Sequence, residues 1–247
     1  MSGEPGDDLQ VLAGKVALAC RILAQQGLVR DITGHVSARV PGERMSLRCR
    51  GEDEYGLAFT AASQIRVLDF EGLDDPGEGH ARPLELPIHG QLYRARPDVM
   101  AVVHAHPEAA LLCGLAGIEL RPIFGAYDPY ALQVATGGVA VFPRSVLIDT
   151  PELGAELAAT MGDGACCLMR GHGITVVGDT VEQATIRALK LEALARVTWQ
   201  LALSGRSVAA LPPDELASFA RDSREGVIPG GEHWLWRHYA RLAGSEA

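Results

Sequence analysis

The sequence predicts an α/β domain built in layers. Stretches with apolar residues at helical spacing alternate along the chain with short alternating or wholly apolar runs, and turn residues separate them. With 247 residues, 47% of them hydrophobic, the chain can bury a sizeable core.

The elements follow in order. Residues 8 to 25 carry a helical stripe of Leu9, Leu12, Val16, Ala19, Ile22 and Leu23, and Gly27 is placed to end it. Short runs at His35 to Val40, Met45 to Arg48 and Ile65 to Asp69 read as strands. Glu71 to Arg82, rich in Gly, Pro and acids, reads as a surface loop. Helical spacing returns over Leu84 to Arg94, where Pro87 fits only in a first turn, so Glu85 falls at the start of that helix. Asp98 to Ala105 is an apolar strand. Pro107 then opens a helix continued by Glu108 to Cys113, with Gly114 as its expected stop.

Val139 to Phe142 and Val146 to Ile148 read as short strands, and Thr150-Pro151-Glu152 caps and opens a helix reaching about Met161. Strands at Ala165 to Arg170 and Ile174 to Val177 flank Gly171-His172-Gly173. Thr180-Val181-Glu182-Gln183 matches a capping box and opens the longest helix, to about Leu203. The aromatic cluster from Trp234 to Tyr239 reads as a C-terminal helix packing on a neighbouring surface. The expectation is a single domain over 1–247, with 206–247 as a C-terminal helical extension.

Charge and composition narrow the function. The net charge is −9 and no segment clusters Lys and Arg, which argues against nucleic acid as a partner. No apolar run approaches the roughly 18 residues of a membrane span, and residues 1 to 10 lack a signal-peptide pattern, so the expected compartment is the cytoplasm. Cys20, Cys49, Cys113, Cys166 and Cys167 form no C-x-x-C and lie in apolar surroundings, as core thiols do.

The chemistry concentrates in histidines. His104 and His106 project from one face of a strand about 7 Å apart along the backbone, so both can address one ion. Packing histidines can show the same spacing, so further ligands are needed. His172, between two glycines at a strand-to-strand junction, is unobstructed, and Glu85 shares a helix face with His89 just upstream of the histidine pair. Three imidazoles with an open position suit zinc, manganese or ferrous iron as a Lewis acid, and a nearby carboxylate can move a proton. An amidohydrolase barrel would need more strand-helix units after the pair, and a cupin would need an all-β chain.

These elements resemble the class II aldolase/adducin family. The resemblance rests on Glu85-x-x-x-His89, Arg96-Pro97-Asp98 leading to Val103-His104-Ala105-His106-Pro107, Gly171-His172-Gly173-Ile174, and Thr33-Gly34-His35-Val36-Ser37-Ala38-Arg39, spread over about residues 8 to 205. It implies an α/β/α sandwich around a largely antiparallel sheet and a homotetramer with sites at subunit interfaces. It further implies a divalent metal ion on His104, His106 and His172, with Glu85 as the acid/base.

The sugar-phosphate members hold phosphate with a Thr-Gly turn and a Ser-Ser pair before the catalytic Glu. Here those places read Phe59-Thr60-Ala61-Ala62-Ser63-Gln64 and Arg82-Pro83-Leu84, and the Ser-Ser pair is absent. His35 also replaces the Asn common in those aldolases. The resemblance is nearer the branch that decarboxylates hydroxyaromatic dicarboxylic acids, which makes a metal-dependent C–C lyase on a non-phosphorylated hydroxyaromatic acid the first expectation. An aldolase or epimerase on a small hydroxy-carbonyl compound, a non-haem iron oxygenase and a non-catalytic adducin-like module stay open. His35, Ser37, Arg82, His89 and Tyr127 are the candidate substrate contacts.

Overall fold

The computed structural model describes residues 5–52, 55–206, 208–220 and 231–245. It opens with α1 (Pro5–Gln25), β1 (His35–Val40), β2 (Arg44–Arg48) and, after two short 3-10 turns, β3 (Ile65–Asp69). Next come α2 (Leu86–Ala95), β4 (Ala101–Ala105), α3 (Glu108–Ala116), α4 (Pro129–Thr136) and β5 (Ala140–Phe142). The chain continues through α5 (Pro151–Met161), β6 (Cys166–Met169), β7 (Gly173–Gly178), α6 (Val181–Leu203), α7 (Pro213–Ala220) and α8 (Gly231–Leu242).

The strands form one sheet in the order β3-β2-β1-β4-β7-β6-β5. Every pairing is antiparallel except β5 with β6. Side-chain alternation sorts the sheet residues into two cores. Val36, Ala38, Ala101, Val103, Ala105, Ile174 and Val176 face a core shared with α1, α3, α4 and α6. Met45, Leu47, Val102, Cys167 and Val177 face the other side, where Leu86, Ile88 and Leu92 of α2 meet Leu157, Ala158 and Met161 of α5. The result is a three-layer α/β/α sandwich around a largely antiparallel sheet, as expected.

Two local expectations are corrected, and one helix is added. Val146 to Ile148 is not a strand: it runs as irregular chain just beyond Pro143, and the Ile148 N–H donates to a carboxylate instead of a strand partner. Gly114 does not stop α3, because it is buried inside the helix, and the left-handed cap is Gly117 at φ 67°. The helix α4 was not anticipated, although Asp128-Pro129 carries a start signal: the Asp128 side chain accepts the Ala131 N–H at 3.1 Å.

The five cysteines are free and buried. No helix of the described residues is long and apolar enough to cross a membrane. On α8, Leu235, Trp236 and Tyr239 pack against the first core, while Trp234 is exposed.

Candidate metal centre

Sheet register builds this site. His104 lies opposite His35 on β1 and Thr175 on β7. It points to the α2/α5 side, one position along from Val103 of the opposite core. His106, two residues on, keeps the same parity beyond the end of β4, with its backbone N–H on the Leu28 carbonyl at 2.9 Å. His172 sits in the turn between β6 and β7, its N–H bonded to the Met169 carbonyl at 3.0 Å. Gly171 holds a φ of 65° there, and a Cβ on Gly173 would lie 2.2 Å from the Ala105 carbonyl oxygen. The two glycines let the turn bring His172 against the His104/His106 strand.

Glu85 is the N-cap residue of α2, and Pro87 in the first turn gives the helix its start. The Ile148 N–H donates to Glu85 Oε1 at 3.2 Å and orients the carboxylate. One ligand atom from each of Glu85, His104, His106 and His172 lies within 4.8 Å of the others. His104 Nε2 is 2.8 Å from His106 Nε2; Glu85 Oε2 is 3.4 Å from His104 Nε2, and Oε1 is 3.1 Å from His172 Nε2.

The donor set fits a divalent cation. A neutral imidazole has one N–H and one lone pair, and burial pushes His106 down to about 3, so it brings no second proton to the cluster at neutral pH. The second ring nitrogens of His104 and His172 are buried without a hydrogen-bond partner among the described residues, so the polar contacts of both rings run through Nε2 toward the shared point. Lone pairs there outnumber hydrogens, and imidazole nitrogen with carboxylate oxygen suits zinc, manganese or ferrous iron.

A family model of the class II aldolase and adducin N-terminal domain matches residues 14–199. The chain belongs to the class II aldolase and adducin family. This class II aldolase/adducin protein is 45% identical over 206 residues to a 3,4-dihydroxyphthalate decarboxylase of Arthrobacter keyseri, covering 82% of this chain and 83% of that one. It is 40% identical over 230 residues to the 3,4-dihydroxyphthalate decarboxylase of Rhodococcus jostii, covering 90% and 92%. Among solved structures, an aldolase II superfamily protein from Pseudomonas syringae superposes with a TM-score of 0.79 at 24% identity, over 95% of this chain and 92% of that one. That last likeness is one of fold.

In this family member, burial alone would raise the Glu85 carboxyl, but the close approach of the His104, His172 and His35 rings outweighs it and lowers the carboxyl below the usual range. The expected substrate contacts separate into two groups. His35 lies against the cluster, its ring 4.9 Å from that of His104 and its Nε2 3.9 Å from Glu85 Oε2. Ser37 and His89 are fully buried behind it and bond to each other at 2.6 Å, so burial puts them behind His35 and away from direct contact with a ligand.

Arg82 is exposed in the loop before Glu85, and Tyr127 is 79% exposed with its ring packed on Phe124. Neither bonds to the cluster among the described residues. Three supporting groups escaped the sequence reading: Ile148, Tyr93 and Glu192. Tyr93 had a usable signal, since it follows His89 by four residues on one helix face. The other two act across long sequence separations that no local pattern marks.

Proposed function

We propose that this chain is a divalent-metal-dependent decarboxylase of a hydroxyaromatic dicarboxylic acid of the 3,4-dihydroxyphthalate type. The observation that carries this reading is the 45% identity, over more than four fifths of both chains, to a decarboxylase of that acid. The Glu85, His104, His106 and His172 cluster, with Glu85 and His104 buried and His106 and His172 half-buried, supplies chemistry that suits it.

In this reading His104, His106 and His172 hold the ion, and Glu85 is the acid/base. The ion, whether zinc, manganese or ferrous iron, would act as a Lewis acid that draws electron density from the substrate as its C–C bond breaks. The Glu85 carboxyl is ionised at neutral pH and takes the proton of a ring hydroxyl. The bond between ring and carboxyl then breaks, carbon dioxide leaves, and the electron pair stays on the ring carbon. Glu85 returns its proton to that carbon, which balances the reaction. With Glu85 only 7% exposed, little water competes at that step.

We also read the chain as one domain with 206–247 as a C-terminal extension, working as a homotetramer in the cytoplasm. Exposed Leu115 and Tyr127 are the kind of apolar surface that a subunit contact would cover. Arg82, exposed in the loop before Glu85, and Tyr127 are the proposed substrate contacts outside the cluster. Light scattering on the purified protein checks the assembly.

The functional test measures carbon dioxide release from 3,4-dihydroxyphthalate and related catechol or hydroxypyridine dicarboxylates with zinc, manganese or ferrous iron. Retro-aldol cleavage of hydroxy-ketoacids and of sugar phosphates is assayed in parallel. Activity confined to sugar phosphates would sink the proposal.

A further inference from the structure

Behind His35 runs a buried chain of polar side chains that the chemistry above does not use. His35 Nδ1 is 2.6 Å from His89 Nε2, His89 Nδ1 is 2.6 Å from Ser37 Oγ, and Ser37 Oγ is 2.8 Å from the Tyr93 hydroxyl. Ser37 and His89 have no exposed surface, and Tyr93 is 1% exposed. Each link has a donor and an acceptor, so the hydrogens can run in either of two directions along the whole chain.

Tyr93 decides the direction. Its hydroxyl hydrogen needs an acceptor, and the side-chain acceptor in reach is Ser37 Oγ; the Val102 backbone N–H that also approaches the phenol oxygen is itself a donor. If the chain ran outward from His35, Ser37 would donate to Tyr93 and the phenol hydrogen would be buried with no acceptor among the described residues. Orphaning a buried hydroxyl hydrogen disfavours that arrangement by roughly tenfold or more. Tyr93 therefore donates to Ser37, Ser37 donates to His89 Nδ1, and His89 donates from Nε2 to His35 Nδ1. The remaining hydrogen of His35 must then be on Nε2. That nitrogen looks toward Glu85 Oε2 at 3.9 Å, where a lone pair would face the carboxylate unfavourably and an N–H faces it favourably. Burial keeps His89 neutral, as the alternation of donor and acceptor needs.

We propose that Tyr93, Ser37 and His89 are positioning residues that lock His35 in its Nε2–H tautomer, so that it presents a fixed N–H to an anionic oxygen of the substrate beside Glu85. The identity of that recipient rests on the decarboxylase reading; the relay does not. A neutral, pre-oriented donor recognises a carboxylate or phenolate oxygen without adding charge to a site that also takes a cation.

The test is nitrogen NMR of zinc-loaded protein carrying 15N-histidine, with His35→Gln identifying the His35 signals. The expected spectrum shows His35 with a protonated Nε2 and an unprotonated Nδ1. Ser37→Ala removes the hydroxyl that passes the direction from Tyr93 to His89, so the two His35 nitrogens should shift toward averaged values. The competent tautomer then falls toward half, with the Glu85 carboxylate still favouring it, and kcat/KM for 3,4-dihydroxyphthalate should drop by at most about twofold.

A His35 protonated on Nδ1 in the parent protein overturns the relay, as do His35 signals unmoved by Ser37→Ala. If that variant does not fold, the parent spectrum alone decides. Absent carbon dioxide release with the expected His35 signature counts against the decarboxylase assignment, whereas the wrong tautomer counts against the relay whatever the activity.

Discussion

Glu192 offers the sharpest test of how the fold supports the site. It lies on α6, is 3% exposed, and its two carboxylate oxygens accept the N–H groups of Ala109 and Ala110 at 3.1 and 3.0 Å. Those amides belong to the first turn of α3, whose N-cap residue, Pro107, has no side-chain acceptor. Glu192 is thus a cap delivered from another helix. Replacing it with Ala orphans two buried amides, at about 1–3 kcal/mol each, and leaves a small cavity, so the expected loss is about 3–5 kcal/mol. Glu192→Gln keeps one acceptor and turns its amide hydrogens toward the other N–H, which should cost about 2 kcal/mol. At about 2–4 °C per kcal/mol for a chain of this size, Glu192→Ala should melt roughly 6–20 °C below the parent. Thermal and urea unfolding at matched protein and zinc concentrations measure this, because ligand and assembly both move Tm. Bound metal per chain should stay near the parent value, since the His106 N–H is anchored on Leu28 and not on α3. A loss under about 1 kcal/mol for Glu192→Ala, or equal losses for Ala and Gln, would refute the assignment of this carboxylate as the cap of α3.

Glu85→Gln should lower the carbon dioxide release rate by about 10²–10⁴ while metal analysis still finds the ion, because the proton carrier is lost and the three imidazoles remain. Chelation should abolish turnover, with recovery on adding the ion back, and should lower Tm; an ion at about 100 times its Kd contributes roughly 2.7 kcal/mol, readable by calorimetry. A Cβ at position 173 would meet the Ala105 carbonyl at 2.2 Å and His106 Cδ2 at 2.8 Å, so Gly173→Ala should shift His106 and weaken metal binding. It should also destabilise the fold by about 1–3 kcal/mol; unchanged metal affinity by competition titration would count against this view of the turn.

Much of the architecture was legible locally. The strands at His35, Met45 and Ile65 announced themselves by alternation, and the caps at Thr150 and Thr180 by their side chains, each accepting an N–H three residues on. The reading failed where context overrode local pattern. Ile148 looked like strand because it is apolar, yet its amide serves Glu85, 63 residues away in sequence. Gly114 looked like a helix stop, yet the left-handed conformation that needs glycine comes at Gly117.

The same division holds for the site. Sequence alone determined which residues could act: the alternation of a strand puts His104 and His106 on one face, and helix spacing pairs Glu85 with His89. Only the tertiary structure decided where they sit relative to one another. Antiparallel register sets His35 beside His104, burial turns Ser37 and His89 from expected ligand contacts into a support behind His35, and the β6–β7 turn closes His172 onto the cluster. The physical reason is that residue type and spacing fix chemistry and facing within one element, whereas register, burial and hydrogen-bond direction arise only between elements.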